Sequence, residues 1–220
     1  NIQLPTSLNF TDANLSIEVS PSLAASMTSS FAYLEDYPYL CMEQTVSRFL
    51  PNVITTRALK AAGIPSQLQS NVDAQVNIAL QKIYSKQLYD GGWNWWDGDV
   101  SDPQTSAYVV YGLLEAKESG YEISQNVLDN GIAYLKDNLP DLQRNDASWQ
   151  YNRHAFILYV LARADHLGGG ETNFIFEHRT SLDLYGKAYL AQAMYLLDPE
   201  DSRISTLLSD LATATVQSAA

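Results

Sequence analysis

Ala107-Tyr-Val-Val-Tyr-Gly-Leu-Leu-Glu-Ala, Ala155-Phe-Ile-Leu-Tyr-Val-Leu-Ala-Arg-Ala and Ala188-Tyr-Leu-Ala-Gln-Ala-Met-Tyr-Leu-Leu share an Ala-aromatic-aliphatic start and are apolar around most of a helical circumference. A helix with so narrow a polar stripe is covered on several sides. The three starts lie 48 and 33 residues apart. Buried helices recurring at such intervals, with more polar helices between them, imply helical hairpins in a closed or stacked array. The reading is all-α. An α/α toroid, with the apolar helices as an inner row and amphipathic partners outside, is weighed against a plain α-solenoid.

Working outward, helical periodicity predicts helices over 23–36, 39–62, 71–88, 103–118, 124–138, 148–166, 181–197 and 201–217. Several ends carry stop or start signals: Gly63 and Pro65 close the second helix, Asp102 before Pro103 is an N-cap with proline at the first helical position, and Pro199 with Asp201 separates the last two. The first residues differ. Leu15, Ile17 and Val19 alternate with Ser16, Glu18 and Ser20, which is strand periodicity. Residues 1–22 are therefore read as a linker with a short N-terminal β segment from an adjoining domain, and 23–220 as the helical domain. The chain starts at Asn1 without a charged, apolar leader, so either a signal has been removed or the sequence is an excerpt of a longer protein.

Bulk properties narrow the classes. The 220 residues, 46% hydrophobic and 17% charged, suit one sizeable core. No run of apolar residues approaches the roughly eighteen needed to span a bilayer, so no direct membrane insertion is expected. Net charge is −12, and the 13 Lys and Arg are scattered without a basic cluster, which argues against nucleic acid. One cysteine, Cys41, makes neither an intrachain disulfide nor a multi-cysteine zinc site. It is either a small buried hydrophobe or a reactive group.

Around it the chain reads Tyr37-Pro-Tyr-Leu-Cys-Met-Glu-Gln-Thr-Val-Ser-Arg-Phe-Leu-Pro-Asn-Val. Pro38 marks a helix entry, placing Cys41 to Gln44 in a first turn, where side chains three apart share a face. The positive end of the helix dipole favours a thiolate there. Attack of the Cys41 sulfur on the Gln44 carboxamide with loss of ammonia would give an internal thioester, far more electrophilic than an amide. With 13 Gln and 9 Glu in the chain, x-Glu-Gln follows a given cysteine about once in four hundred by chance. Such a bond persists only where water is excluded. Tyr33, Tyr37 and Tyr39 are candidates for that cover, together with Trp93, Trp95 and Trp96 of the segment Gln87-Leu-Tyr-Asp-Gly-Gly-Trp-Asn-Trp-Trp-Asp-Gly-Asp. Those tryptophans also read as an aromatic plug sealing one end of the array. Asp97, Asp99 and Asp102 suggest a metal loop, but an EF-hand would need Gly and Glu where Asp102 and Tyr108 stand, so neither metal nor cofactor is expected.

The Cys41 flanks closely resemble the thioester signature of bacterial α2-macroglobulins, relatives of the eukaryotic α2-macroglobulins and complement thioester proteins. Met42 stands at the variable position of the motif and Glu43 matches it. The Asp-Gly-Gly-Trp-Asn-Trp-Trp loop and the Thr105-Ser-Ala-Tyr-Val-Val helix are also similar to that family's thioester-containing domain. The resemblance implies an α/α toroid of about six hairpins, more than the helices here supply, so a truncated ring is expected. It implies a single-use covalent endopeptidase inhibitor rather than an enzyme. A lysine of a protease attacks Gln44, Cys41 leaves as a thiol, and other domains of the same full-length protein carry the bait. It implies export to the periplasm, the cell surface or the exterior. Some complement relatives use a downstream histidine to redirect the acyl group to hydroxyls. His154 lies 110 residues after Gln44, but its Arg153-His-Ala-Phe setting reads as a packing or capping residue, so amines are the expected nucleophiles.

Two rivals remain. Gln87-x-x-Asp-Gly-Gly-Trp resembles the Gln-Trp motif of terpene cyclases and the prenyltransferase toroids, although no Asp-x-Asp-Asp or zinc set accompanies it. A non-reactive helical binding scaffold with Cys41 merely buried is the other.

Overall fold

The computed structural model describes residues 41–61, 69–143, 146–168 and 170–218. The predicted helix 23–36, the strand at 15–19, the domain boundary at 22/23 and Tyr33, Tyr37 and Tyr39 all lie outside the described residues.

Every regular element among the described residues is helical: α1 Met42–Ala61, α2 Gln69–Ser85, α3 Pro103–Glu118, α4 Gln125–Asp137, α5 Ser148–Arg163, α6 Glu171–Glu177, α7 Leu184–Leu197 and α8 Arg203–Ser218, with a 3₁₀ turn at Arg179–Ser181. The packing alternates. α1, α3, α5 and α7 contact one another in sequence as one row, and each is backed by its successor, α2, α4, α6 or α8. This is the two-row pattern of an α/α toroid. The inner row contains the three apolar stretches that begin at Ala107, Ala155 and Ala188, and their composition follows from that position. Val109, Val110, Leu113, Ile157, Leu158, Val160 and Leu190 are all fully buried. α4, in the outer row, buries one stripe, Leu128, Ile132 and Leu135, and presents its other faces to solvent.

The inner helices run in the same direction. Near their starts, Ser47 of α1 meets Tyr108 of α3, and Asn152 of α5 meets Asp183 just before α7. Near their ends, the buried Glu115 of α3 pairs with Arg57 of α1 at 2.6 Å and with Arg163 of α5, and Glu118 joins the same network. The N-terminal ends of the inner row therefore share one side of the array.

Predicted spans hold to within a few residues, with three differences. Residues 86–88 and 164–166 leave their helices early, because Gly91 and the turn at Asp165, which has φ 62°, redirect the chain. The seventh helix begins at Leu184, not 181, since residues 179–181 form the 3₁₀ turn. The short α6 has no counterpart among the predicted helices. Its seven residues are too few for periodicity to register, and it is held on α5 by Tyr151 stacking 6.4 Å from Phe174 and 5.8 Å from His178.

Candidate functional site

Cys41 stands one residue before α1 and acts as its N-cap. Its carbonyl accepts the Thr45 N–H at 3.0 Å and the Thr45 hydroxyl at 2.9 Å. Its sulfur accepts the backbone N–H of Gln44 at 3.4 Å, the place a Ser or Asp side-chain oxygen takes in an ordinary cap. Cys41 and Met42 are buried, at 3% and 4% exposure. On the same turn the Gln44 side-chain oxygen is buried and finds no hydrogen-bond partner among the described residues. The sulfur and a side-chain oxygen that makes no hydrogen bond among the described residues thus belong to residues three apart on one turn.

The first turn is anchored from outside. Met42 N–H donates to the Trp95 carbonyl at 3.0 Å, so the tryptophan segment meets the Cys41 motif through its backbone. That segment is itself tightly built. Gly91 sits at φ +90°, where a Cβ would lie 2.4 Å from the Asn130 carbonyl oxygen. The Gln87 amide donates to both the Gly91 and Val127 carbonyls at 2.9 Å. Asp90 accepts from Gly92 N–H at 3.1 Å and Ser101 Oγ at 2.7 Å, and Asp102 caps α3 by accepting the Thr105 N–H and hydroxyl at 2.7 Å. Gln87 and its following glycines thus serve to shape this corner.

The three tryptophans, grouped in sequence as one apolar surface, part company. Trp93 is fully buried and donates its indole N–H to the Ile83 carbonyl at 2.8 Å, whereas Trp95 and Trp96 are 44% and 61% exposed. Of the three, Trp93 alone packs into the core. Trp95 and Trp96 instead line an open cleft of about 390 Å³ with Met42, Lys82, Lys86 and Asp97. Lys86 pairs with Asp97 at 2.6 Å, which holds the Asp97 carboxyl below the usual range. Burial and the neighbouring Lys86 pull the Lys82 ammonium below its ordinary value, with Cys41 among the groups opposing that shift.

Glu43, the third residue of the motif, accepts the Ser47 hydroxyl at 2.7 Å, and Ser47 Oγ lies 3.0 Å from the Tyr108 hydroxyl. Tyr108 faces a second, larger cleft of about 740 Å³ at the N-terminal ends of the inner helices, walled by Tyr111, Trp149, Phe156, Tyr185 and Tyr189. Burial raises the Tyr108 pKa; the Ser47 hydrogen bond opposes this and the Glu43 charge adds to it. Sequence reasoning missed Ser47 and Tyr108. Ser47 was within reach as the i+4 neighbour of Glu43; Tyr108, 61 residues from Ser47, carries no local signal.

His154 lines neither cleft. It is 7% exposed, and burial pushes its pKa down to about 4, opposed by a hydrogen bond to the Pro140 carbonyl. It belongs to the buried residues of α5.

The family model described as the A-macroglobulin TED domain matches residues 16–166. The alpha-2-macroglobulin of Thermotoga maritima is 37% identical over 115 residues, covering 52% of this chain and 7% of that protein. The alpha-2-macroglobulin of Escherichia coli is 31% identical over 156 residues, covering 66% of this chain and 9% of that protein. The chain thus spans under a tenth of the length of these relatives. A drimenyl diphosphate synthase from Streptantibioticus cattleyicolor is 31% identical over 113 residues, 50% of this chain and 20% of the synthase. Among solved structures, native E. coli alpha-2-macroglobulin superposes with a TM-score of 0.71 at 24% identity, over 85% of this chain and 12% of that one. Salmonella alpha-2-macroglobulin reacted with methylamine gives 0.69 at 26% identity, over 86% and 13%.

Proposed function

We propose, from the premise that this chain belongs to the A-macroglobulin TED domain family, that Cys41 and Gln44 form an internal thioester through which a larger protein captures proteases. The observation that carries the proposal is the Cys41 sulfur capping the Gln44 N–H at 3.4 Å, with the Gln44 carboxamide oxygen buried and unengaged on the same turn.

The chemistry proceeds in two steps. In closure, the Cys41 sulfur attacks the Gln44 side-chain carbonyl; the C–N bond breaks, the thiol proton passes to nitrogen, and ammonia leaves. In capture, an amine attacks the same carbon, the C–S bond breaks with its electron pair going to sulfur, and the proton shed by nitrogen ends on sulfur. The products are an amide at Gln44 and a free thiol at Cys41. Gln44 is the acyl donor and Cys41 the leaving group, each used once, so the event is covalent inhibition without turnover. The N-terminal end of α1 favours the departing thiolate. Trp95, tied by its carbonyl to Met42, and Trp96 are the described side chains assigned to cover. Tyr33, Tyr37 and Tyr39 keep that assignment from sequence.

A lysine amine is the assigned nucleophile, since His154 is 7% exposed and lines neither cleft, and so is not assigned as an acyl-relay imidazole. On this reading residues 1–22 are a linker with a β segment of a neighbouring domain, and 23–220 the truncated thioester domain. The remaining partners are other domains of the same exported protein, in the periplasm or at the cell surface. Among the described residues no helix is long and apolar enough to cross a membrane.

The test is covalent capture. The protein carrying this chain, mixed with a lysine-bearing serine protease, should give an adduct that survives denaturing electrophoresis and maps to a Gln44–lysine amide. The Cys41→Ser variant should give none. An adduct of equal yield in that variant would overturn the proposal.

A further inference from the structure

We propose that Ser47 and Tyr108 are positioning residues for the thioester turn, acting through Glu43 to hold the first turn of α1 helical. The inference rests on the thioester reading of Cys41 and Gln44 and adds to it the residues that keep the two ends in register.

Proton counting fixes the direction of the network. Ser47 has one hydroxyl proton, and Glu43 takes it at 2.7 Å. The 3.0 Å contact between Ser47 Oγ and Tyr108 is therefore a Tyr108 O–H donated to Ser47. The chain runs Tyr108 to Ser47 to Glu43 and ends on a carboxylate, which strengthens both bonds. Burial and the Glu43 charge keep the Tyr108 proton in place by raising its pKa.

The position of this network gives it its consequence. First turns of helices fray, because their N–H groups lack intrahelical partners. Cys41 caps Gln44 only while residues 42–44 stay helical, and closure depends on how often they do. Glu43 lies between the two reacting residues. It is bound to the second turn of its own helix at Ser47 and, through it, to α3. α3 packs closely on α1 one turn beyond Tyr108: a Cβ at Gly112 would lie 2.8 Å from Val46 Cγ1, so the Val46 side chain rests against the α3 backbone. With the Met42 N–H on the Trp95 carbonyl at 3.0 Å, two successive residues between the sulfur and the carboxamide are anchored to separate parts of the array.

The experiment compares Ser47→Ala, Ser47→Thr and Tyr108→Phe with the unsubstituted protein carrying this chain. It reads the fraction of molecules lighter by one ammonia in the intact mass spectrum, and the rate of reaction with methylamine. Lys187→Met, which breaks the 3.0 Å Lys187–Asp210 pair between α7 and α8, is the control for general destabilisation. We expect Ser47→Ala to lower the closed-to-open ratio about tenfold, the worth of its charge-assisted hydrogen bond to Glu43, and Tyr108→Phe, which removes a hydroxyl–hydroxyl bond, to lower it by about fivefold. Ser47→Thr, which keeps the hydroxyl, should restore it, and Lys187→Met should leave it unchanged. A closed fraction in Ser47→Ala and Tyr108→Phe equal to that of the unsubstituted protein would overturn the inference, as would an equal loss in Lys187→Met. An unsubstituted protein with no lighter population would sink the thioester reading itself, and this inference with it.

Discussion

Asn152 and Asp183 hold each other at both ends of the Asn152 amide: Asn152 Nδ2 donates to the Asp183 carboxylate at 2.5 Å, and Asn152 Oδ1 accepts the Asp183 backbone N–H at 3.0 Å. Asn152 is 1% exposed and Asp183 lies at the surface, so this pair ties the start of α5 to the residue before α7 at the edge of the core. Asn152→Ala removes both hydrogen bonds to Asp183 and empties a buried side-chain site on α5. We expect a loss of about 1–3 kcal/mol, roughly 2–4 °C of Tm for each kcal/mol in a chain of this size. Calorimetry of the variant checks it; an unchanged Tm would show that the pair contributes nothing.

The buried His154 ties stability to pH. Its pKa falls from 6.5 to about 4 on folding, chiefly through burial. Between those values the unfolded chain binds a proton that the folded chain refuses, so stability is full above pH 6.5 and drains as pH falls toward 4. The shift corresponds to roughly 3 kcal/mol over that window. Urea midpoints measured across pH 4 to 7 should fall on the acid side, and the fall should be shallower in His154→Gln, which cannot ionise. Identical slopes in the two proteins would contradict this.

The tryptophan segment separates structure from surface. Trp93→Phe removes the indole donor to the Ile83 carbonyl and opens space in a fully buried site, for an expected cost of about 2–4 kcal/mol. Trp96→Ala, at an exposed position, should change stability by less than about 0.5 kcal/mol. Thermal melts of both variants decide. Equal effects would mean that the two rings share one environment.

Much of this was legible in the chain because it is local. The Asp102–Pro103 cap, the apolar inner helices and the three-residue spacing of Cys41 and Gln44 are each set by neighbours in sequence, where helical geometry applies directly. What escaped is non-local or too short. Trp93 and Trp96 differ because Trp93 packs among Ile83, Ser106 and Gly131, and no periodicity operates in an irregular segment. The Asn152–Asp183 and Ser47–Tyr108 pairs join residues 31 and 61 positions apart, and polar pairs at such range leave no trace in hydrophobic patterning.

The central claim is the bond between the Cys41 sulfur and the Gln44 acyl carbon, and the most direct measurement is the intact mass of the freshly purified protein before and after methylamine. We expect a mass lighter by one ammonia at first. After treatment one methylamine should sit on Gln44 and one newly alkylatable thiol should appear at Cys41. A full mass with the thiol present from the outset, and no uptake of methylamine, would contradict it.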